Sequence, residues 1–370
     1  MEERAFWLAW SQIPGIGPIL LKRLEQHFGT LKAAWAAEAA ALAEVEGIGA
    51  QLLEAISKGR AKIQPQPLLQ QHEANNPHFW TPAEPDYPRL LLEIPNPPAL
   101  LYYQGQVLPA ENQGSVPGVA IVGTRDPSDY GKRWTRKLSK ALAQNNFTVI
   151  SGLADGIDTE AHQSCLEAGG RTIAVLGTGV DVVYPWRNRS LYQDVVEHGL
   201  ALSEYPAGTQ PDRPHFPQRN RIVAGLSRAV IVTEAPTKSG ALITAHIANE
   251  YGRDVYVLPG SLDNPRSLGC LGLLNKGAQV ILSESHLLEL LGSLPKLDPV
   301  HQTSLFDLNP IPDLEPQLQQ VLQAISSDLM PLDLIIQQTG LSAGSVSSAL
   351  LQLELMGLVT QQPGMRYQRH

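Results

Sequence analysis

Residues 118–123, Gly-Val-Ala-Ile-Val-Gly, set four apolar side chains in succession between two glycines. A near-continuous run of this kind reads as a strand buried on both faces. Comparable runs return at 147–152, 171–177, 200–205, 229–234, 254–258 and 278–282. Helical patterns of suitable length stand between them, for example at 129–146 and 240–251. Strand and helix in alternation predict an α/β fold, an extended Rossmann-like, doubly wound parallel sheet covered on both faces. Ligands of such a sheet are expected outside the carboxyl ends of its strands.

Working outward from this domain (118–292), the rest of the chain divides by composition. Residues 1–61 are Ala/Leu-rich and helical, broken at Ile13-Pro14-Gly15-Ile16-Gly17 and again at Val45-Glu46-Gly47-Ile48-Gly49. Two such breaks predict helix-hairpin-helix (SAM-like) units, whose helix N-termini can present N–H groups to a phosphate. Lys22 and Arg23 follow the first break, whereas the same glycines could equally serve tight packing. Residues 62–117 are proline-rich from Pro65 to Pro98 and predict an extended connector wrapped on the next domain. A linker over 293–315 leads to 316–370, where helices at Pro331–Thr339 and Ser342–Met356 flank Gly340 and a hairpin-like tail follows at Leu358–Tyr367. That outline is a winged helix-turn-helix.

Composition narrows the function. The 370 residues carry a net charge of −8 and 43% hydrophobic residues, as expected of two or three ordinary domains. So acidic a chain excludes wholesale coating of nucleic acid and leaves room for a focused site. Cys165 and Cys270 have no partner spacing for zinc or a disulfide framework. The start, Met-Glu-Glu-Arg-Ala-Phe-Trp, lacks the pattern of a signal peptide, and no apolar run is long enough to span a bilayer. The expectation is a cytoplasmic protein with no membrane contact, no metal and no cofactor.

Against that acidity, Arg213, Arg219, Arg221 and Arg228 gather around Phe216. Arginine forks grip phosphates and a phenyl ring gives a base a face to stack on, so the segment reads as an anion site; a solvated helix start is the plainer alternative. Several strand ends add glycine or base: Gly123-Thr124-Arg125, Ser151-Gly152, Gly177-Thr178-Gly179 and Lys238-Ser239-Gly240. Glycines there would let backbone N–H groups approach phosphate oxygens. The Gly177 loop has Val182 where a dinucleotide fingerprint needs its third glycine. Asp158 and His162 stand four apart on one helix face, a spacing that suits a capping Asp and a satisfied histidine better than a metal pair or an acid/base couple. Neither a His-Glu-x-x-His motif nor a serine elbow is present, so no catalytic residue is assigned.

The same blocks resemble the DNA-processing protein A (DprA/Smf) family of bacterial recombination mediators. The resemblance lies in Val122–Arg125 with Tyr130-Gly131, Ser151–Asp158 with Ala161-His162, and Ala174–Gly179 with Tyr184-Pro185 and Asn188. It continues through Ser203–Pro206, Phe216–Ser227, Glu234-Ala235, Lys238–Thr244 and Val257–Gly260. Gly269-Cys270-Leu271-Gly272 departs from the family, which carries Asn or His after the Gly-Cys pair, so no ligand contact is carried over to it.

The resemblance implies a non-enzymatic, homodimeric protein that binds single-stranded DNA, protects it and helps load the RecA recombinase during natural transformation. It also implies one DNA pocket lined by the Gly123-Thr124-Arg125 loop, the segment holding Phe216, Arg219, Asn220 and Arg221, and the Lys238-Ser239-Gly240 loop, beside Gly152. One of Arg219 and Arg221 is expected to turn inward and pair with Glu204 or Glu234. A dimer interface is expected at the edge strand Ala278–Ser283 and at Leu287, Leu288 and Leu291 of the following helix.

Two other classes compete. Nucleotide phosphoribohydrolases of related fold carry a Pro-Gly-Gly-x-Gly-Thr loop, where this chain reads Pro236-Thr237-Lys238-Ser239-Gly240. A transcription factor would read bases with helix 342–356, which has no Lys or Arg, in a segment (311–370) holding five carboxylates and two arginines. Both are disfavoured.

Overall fold

The structure, a computed structural model, describes residues 2–292, 316–325, 330–355, 358–362 and 366–369. The chain divides into two compact units, 1–299 and 300–370. The expected linker 293–315 lies outside the described residues.

All seven expected strands form. They are β3 (Gly118–Val122), β4 (Thr148–Ser151), β5 (Thr172–Leu176), β6 (Leu200–Ser203), β7 (Ala229–Val232), β8 (Asp254–Val257) and β9 (Gln279–Val280). The helices between them are α9 (Asp129–Gln144), α10 (Ile157–Glu167), α11 (Arg189–His198), α12 (His215–Leu226), α13 (Gly240–Glu250) and α14 (Leu268–Leu274), with α15 (Glu284–Gly292) after β9. These seven strands run parallel in the order β6-β5-β4-β3-β7-β8-β9. The chain moves outward from β3 to β6 and then returns past β3 to β7. The switch point of the sheet therefore lies between β3 and β7.

Alternating residues explain why both faces are apolar. Val119 and Ile121 of β3 join Leu138 and Leu142 of α9 and Ile157 of α10 on one face. Ala120 and Val122 join Val223 of α12 and Ala245 of α13 on the other.

The proline-rich connector does more than wrap. It forms α6 (Pro65–Asn75), β1 (Phe79–Trp80), α7 (Arg89–Glu93), β2 (Leu101–Gly105) and α8 (Pro109–Asn112). Strand β2 pairs antiparallel with β6, Tyr102 opposite Ser203, and β1 pairs with β2, so two strands no sequence pattern announced close one edge of the sheet. Trp80, Tyr87, Leu91 and Ile94 enter the main core.

The first helices are α1 (Glu2–Ser11), α2 (Pro18–Phe28), α3 (Leu31–Ala36), α4 (Ala39–Leu42) and α5 (Ala50–Lys62), packed around Trp7, Trp10, Leu24 and Ile56. Both hairpin turns need glycine, since Gly15 has φ +88° and Gly47 φ +95°. The bases after the first hairpin are structural. Lys22 Nζ donates to the carbonyls of Leu92 (3.1 Å) and Ile94 (3.0 Å), and Arg23 pairs with Glu46. The phosphate-binding reading of this hairpin thus loses its two cations to the fold.

The dimer expectation for the leucine-rich helix is also corrected. Leu287 and Leu291, one turn apart on α15, are buried against Leu138 and Leu142 of the same chain, and Leu288 is half-buried. The apolar face of α15 covers its own sheet, although β9 does form the sheet edge as expected.

In the second unit, α16 (Pro316–Ala324), α17 (Leu332–Thr339) and α18 (Ala343–Leu355) pack with β10 (Met330–Pro331), β11 (Val359–Gln362) and β12 (Arg366–Arg369). The sheet order is β10-β12-β11, the wing of a winged helix, and Gly340 caps α17 at φ +66°. Among the described residues no helix is long and apolar enough to cross a membrane.

Candidate nucleic-acid interface

A pocket of about 590 Å³ opens at the switch point, outside the carboxyl ends of β3, β4 and β7. The loop after β3 contributes Gly123, Thr124 and Arg125, and the loop after β4 contributes Gly152 and Ala154. Helix α12 contributes Phe216, Pro217, Arg219 and Asn220, while Ser239, Gly240, Ile243 and Thr244 come from the start of α13. The size suits one or two nucleotides.

The loops owe their shape to internal hydrogen bonds. Glu234, buried just past β7, accepts from Ser128 N (2.7 Å), Ser128 Oγ (2.7 Å) and Asn264 Nδ2 (3.1 Å), and its carbonyl accepts from Thr124 N (2.7 Å). Asp158 Oδ2 accepts from Gly152 N (3.1 Å) and Ala154 N (3.2 Å). Gly156, at φ +79°, lies so close that a Cβ there would come within 2.5 Å of the Thr124 carbonyl. The N–H groups of Thr124 and Gly152, expected to meet phosphate, are therefore occupied by the protein itself. The amide end that opens on the pocket belongs to α13: Ser239 caps it through Ala241 N, and open space surrounds Gly240. A helix N-terminus of this kind favours an anion.

The four arginines of the Arg-rich segment separate. Arg213 lines the pocket and is exposed. Arg219, 4% exposed, donates Nη1 to the carbonyls of Gly152 (2.6 Å) and Val175 and faces Asp158, so it forms the pocket floor. Arg221 is buried and pairs with Glu204 at 2.6 Å, away from the pocket. Arg228 sits just before β7 begins, at the opposite end of the strand. Expecting one of the 219/221 pair to face DNA is thus corrected: pointing to different sides of α12, Arg219 is taken up by the Gly152 and Val175 carbonyls and Arg221 by Glu204. The Glu204 pairing belongs to Arg221; Glu234 pairs with neither.

Burial sets the charge state of the remaining groups. Desolvation, with the Arg219 charge adding to it, lowers the His162 pKa to about 3, so the imidazole is neutral, its Nδ1 2.6 Å from Thr172 Oγ1. Burial also pushes the Asp158 carboxyl up, while Arg219 and the backbone N–H groups pull it back. Asp158 and His162 are hence bracing groups. Among the described residues no cluster of His, Cys, Asp and Glu is placed to hold a metal ion.

The cations facing solvent here are Arg125, Arg213 and Lys238, which make no ion pair among the described residues. Lys238 stands on the exposed loop just outside the pocket lining, whereas Ser239 and Gly240 are in it. Phe216 is wedged against Gly177, where a Cβ would come within 2.9 Å of its ring. The Arg125 guanidinium lies 5.7 Å from the ring centroid, and the Tyr184 ring 5.4 Å away at 36°. Cations beside an aromatic face, above a helix N-terminus, are the parts needed to hold phosphate and stack a base. Tyr184 and Arg213 line the site although neither was singled out as a site residue. Tyr184 stood among the family-like blocks and Arg213 in the arginine cluster.

The chain is similar to known proteins. The model of the DNA recombination-mediator protein A family matches residues 78–292, and a DprA winged-helix model matches 308–365. Protein Smf of Synechocystis sp. is 53% identical over the whole chain and 99% of its own length. DNA processing protein DprA of Streptococcus pneumoniae is 47% identical over 53% of this chain and 68% of its own. The X-ray structure of the S. pneumoniae protein superposes with a TM-score of 0.68 at 34% identity, covering 77% of this chain and 97% of that one. DNA processing protein A of Helicobacter pylori, whose structure was described for its single-stranded DNA binding mode, gives 0.52 at 33% identity, covering 58% and 95%.

Proposed function

Because the chain belongs to the DNA recombination-mediator protein A family, we propose that it binds single-stranded DNA at the switch-point pocket and acts as a mediator of recombination during natural transformation. The observation that carries this reading is the placing of Arg125 and Phe216, cation over ring, in a pocket fronted by the N-terminus of α13. The H. pylori relative, described as binding single-stranded DNA, supports it by kinship. In this reading Arg125, Arg213 and Lys238 take phosphates and Phe216 takes a base. Arg219, Arg221 and Asp158 hold the loops that present them. The protein shields the incoming strand and helps load the RecA recombinase on it, working as a homodimer and without catalysis.

Gel shifts with unrelated single- and double-stranded oligonucleotides test the first step. The single strand should bind with a Kd on the order of micromolar or tighter and with little sequence preference, since phosphate grip and stacking read no base edges. Equal affinity for duplex would overturn it. Released base on incubation with nucleoside monophosphates would point instead to a phosphoribohydrolase.

A further inference from the structure

We infer that the exposed indole of Trp186, with Tyr184 and Arg189, forms a second stacking platform on which the bound single strand leaves the pocket. The inference rests on reading the pocket as a single-strand site and adds a subsite which that reading lacks. Of the six tryptophans, Trp7, Trp10 and Trp80 are buried, Trp35 and Trp134 half-buried, and Trp186 is 68% exposed. Single exposed apolar residues are common on soluble proteins, so exposure alone decides nothing.

Three features give this indole a partner. Its backbone is anchored: the turn Trp186–Asn188 is held by Asn188 Nδ2, which donates to the Leu153 carbonyl (3.0 Å) and to Thr159 Oγ1 (2.9 Å), and by an Arg187–Asp155 ion pair. A ligand stacking there has no backbone turn to order, which favours binding. It also neighbours the pocket along the chain. Phe216 is half-buried, its neighbour Tyr184 lines the pocket and is 42% exposed, and Trp186 follows two residues later at 68%. Exposure thus rises from Phe216 through Tyr184 to Trp186. Lastly, the Arg189 guanidinium lies 4.7 Å from the Trp186 ring centroid and makes no ion pair among the described residues. It offers a cation to the phosphate of the stacked nucleotide. Rings alternating with arginines suit a single strand, whose every base has a face to stack.

The test uses the full chain and fluorescence-labelled oligothymidylates, one of about four nucleotides that fills the pocket and one of about twenty that extends beyond it. Trp186→Ala should weaken the long strand about tenfold and leave the short one unchanged, and Trp186→Phe should recover most of the loss. Melting temperatures of both variants should match the unmodified chain, since the indole is exposed. Arg125→Ala should weaken both lengths. If Arg125→Ala weakens both and Trp186→Ala neither, the platform is overturned while the pocket stands, and Trp186 becomes a candidate for protein contact. An equal loss on both lengths would also overturn it as a separate subsite. If Arg125→Ala changes neither, the pocket reading fails and this inference with it.

Discussion

Arg125 and Arg219 lie within one pocket and do opposite work. Arg125 is exposed, so Arg125→Ala should leave the melting temperature unchanged while weakening the single strand. Arg219 satisfies two carbonyls and faces the buried Asp158 carboxylate. Its loss strands a buried charge, so Arg219→Ala should destabilise the fold by about 3–5 kcal/mol. Thermal melting separates the two roles, and an Arg219→Ala variant as stable as the unmodified chain would contradict the bracing role. His162 adds a pH dependence. The unfolded chain takes a proton near pH 6.5, which the buried imidazole refuses until about pH 3. Stability is therefore complete above the upper value and falls as pH drops through that window. Replacing the histidine, as in His162→Gln, should reduce the acid slope of unfolding free energy by about 1.4 kcal/mol per pH unit, measured by denaturant titration between about pH 6 and 4.5. An unchanged slope would mean that the histidine is not held neutral.

At the scale of elements, the site depends on two loops locked together. Gly156 combines φ +79° with contact against the Thr124 carbonyl, so Gly156→Ala should destabilise the protein by about 1–3 kcal/mol and impair binding by moving the Arg125 loop. The strands from β3 to β8 were legible because each carries its own largely apolar run, which no long-range partner has to explain. Strands β1 and β2 were not: they are two and five residues long, and β2, which carries β1, finds its partner β6 about a hundred residues on. The pocket's position followed from strand ends alone, but the direction of Arg219 did not. Its partners are carbonyls 67 and 44 residues away, invisible to local pattern. Likewise, leucines on α15 read as an open face until α9 is seen beneath Leu287 and Leu291. Leu291→Glu should accordingly lower the melting temperature sharply, as a carboxylate buried in an apolar core does; a stable variant that merely loses a partner subunit in light scattering would contradict this.

On the scale of the whole molecule, a chain of net charge −8 must concentrate its attraction for DNA in one place. The C-terminal segment 311–370 adds carboxylates more than bases, and α18 carries neither Lys nor Arg. Deleting residues 300–370 should leave single-strand affinity unchanged or slightly higher in the same gel shift, and a large loss would return a DNA contact to that unit. Affinity should fall steeply with salt as counterions condensed on the strand are released. The most direct measurement is the salt dependence of single-strand binding for the unmodified chain, for Arg125→Ala with Lys238→Ala, and for Phe216→Ala. The double variant should bind more weakly and lose up to about 1.4 units of log–log slope, roughly 0.7 per phosphate contact. Phe216→Ala should cost about 1–3 kcal/mol with the slope little changed. Affinity and slope of the double variant equal to those of the unmodified chain at moderate salt would contradict the assignment of this pocket to single-stranded DNA.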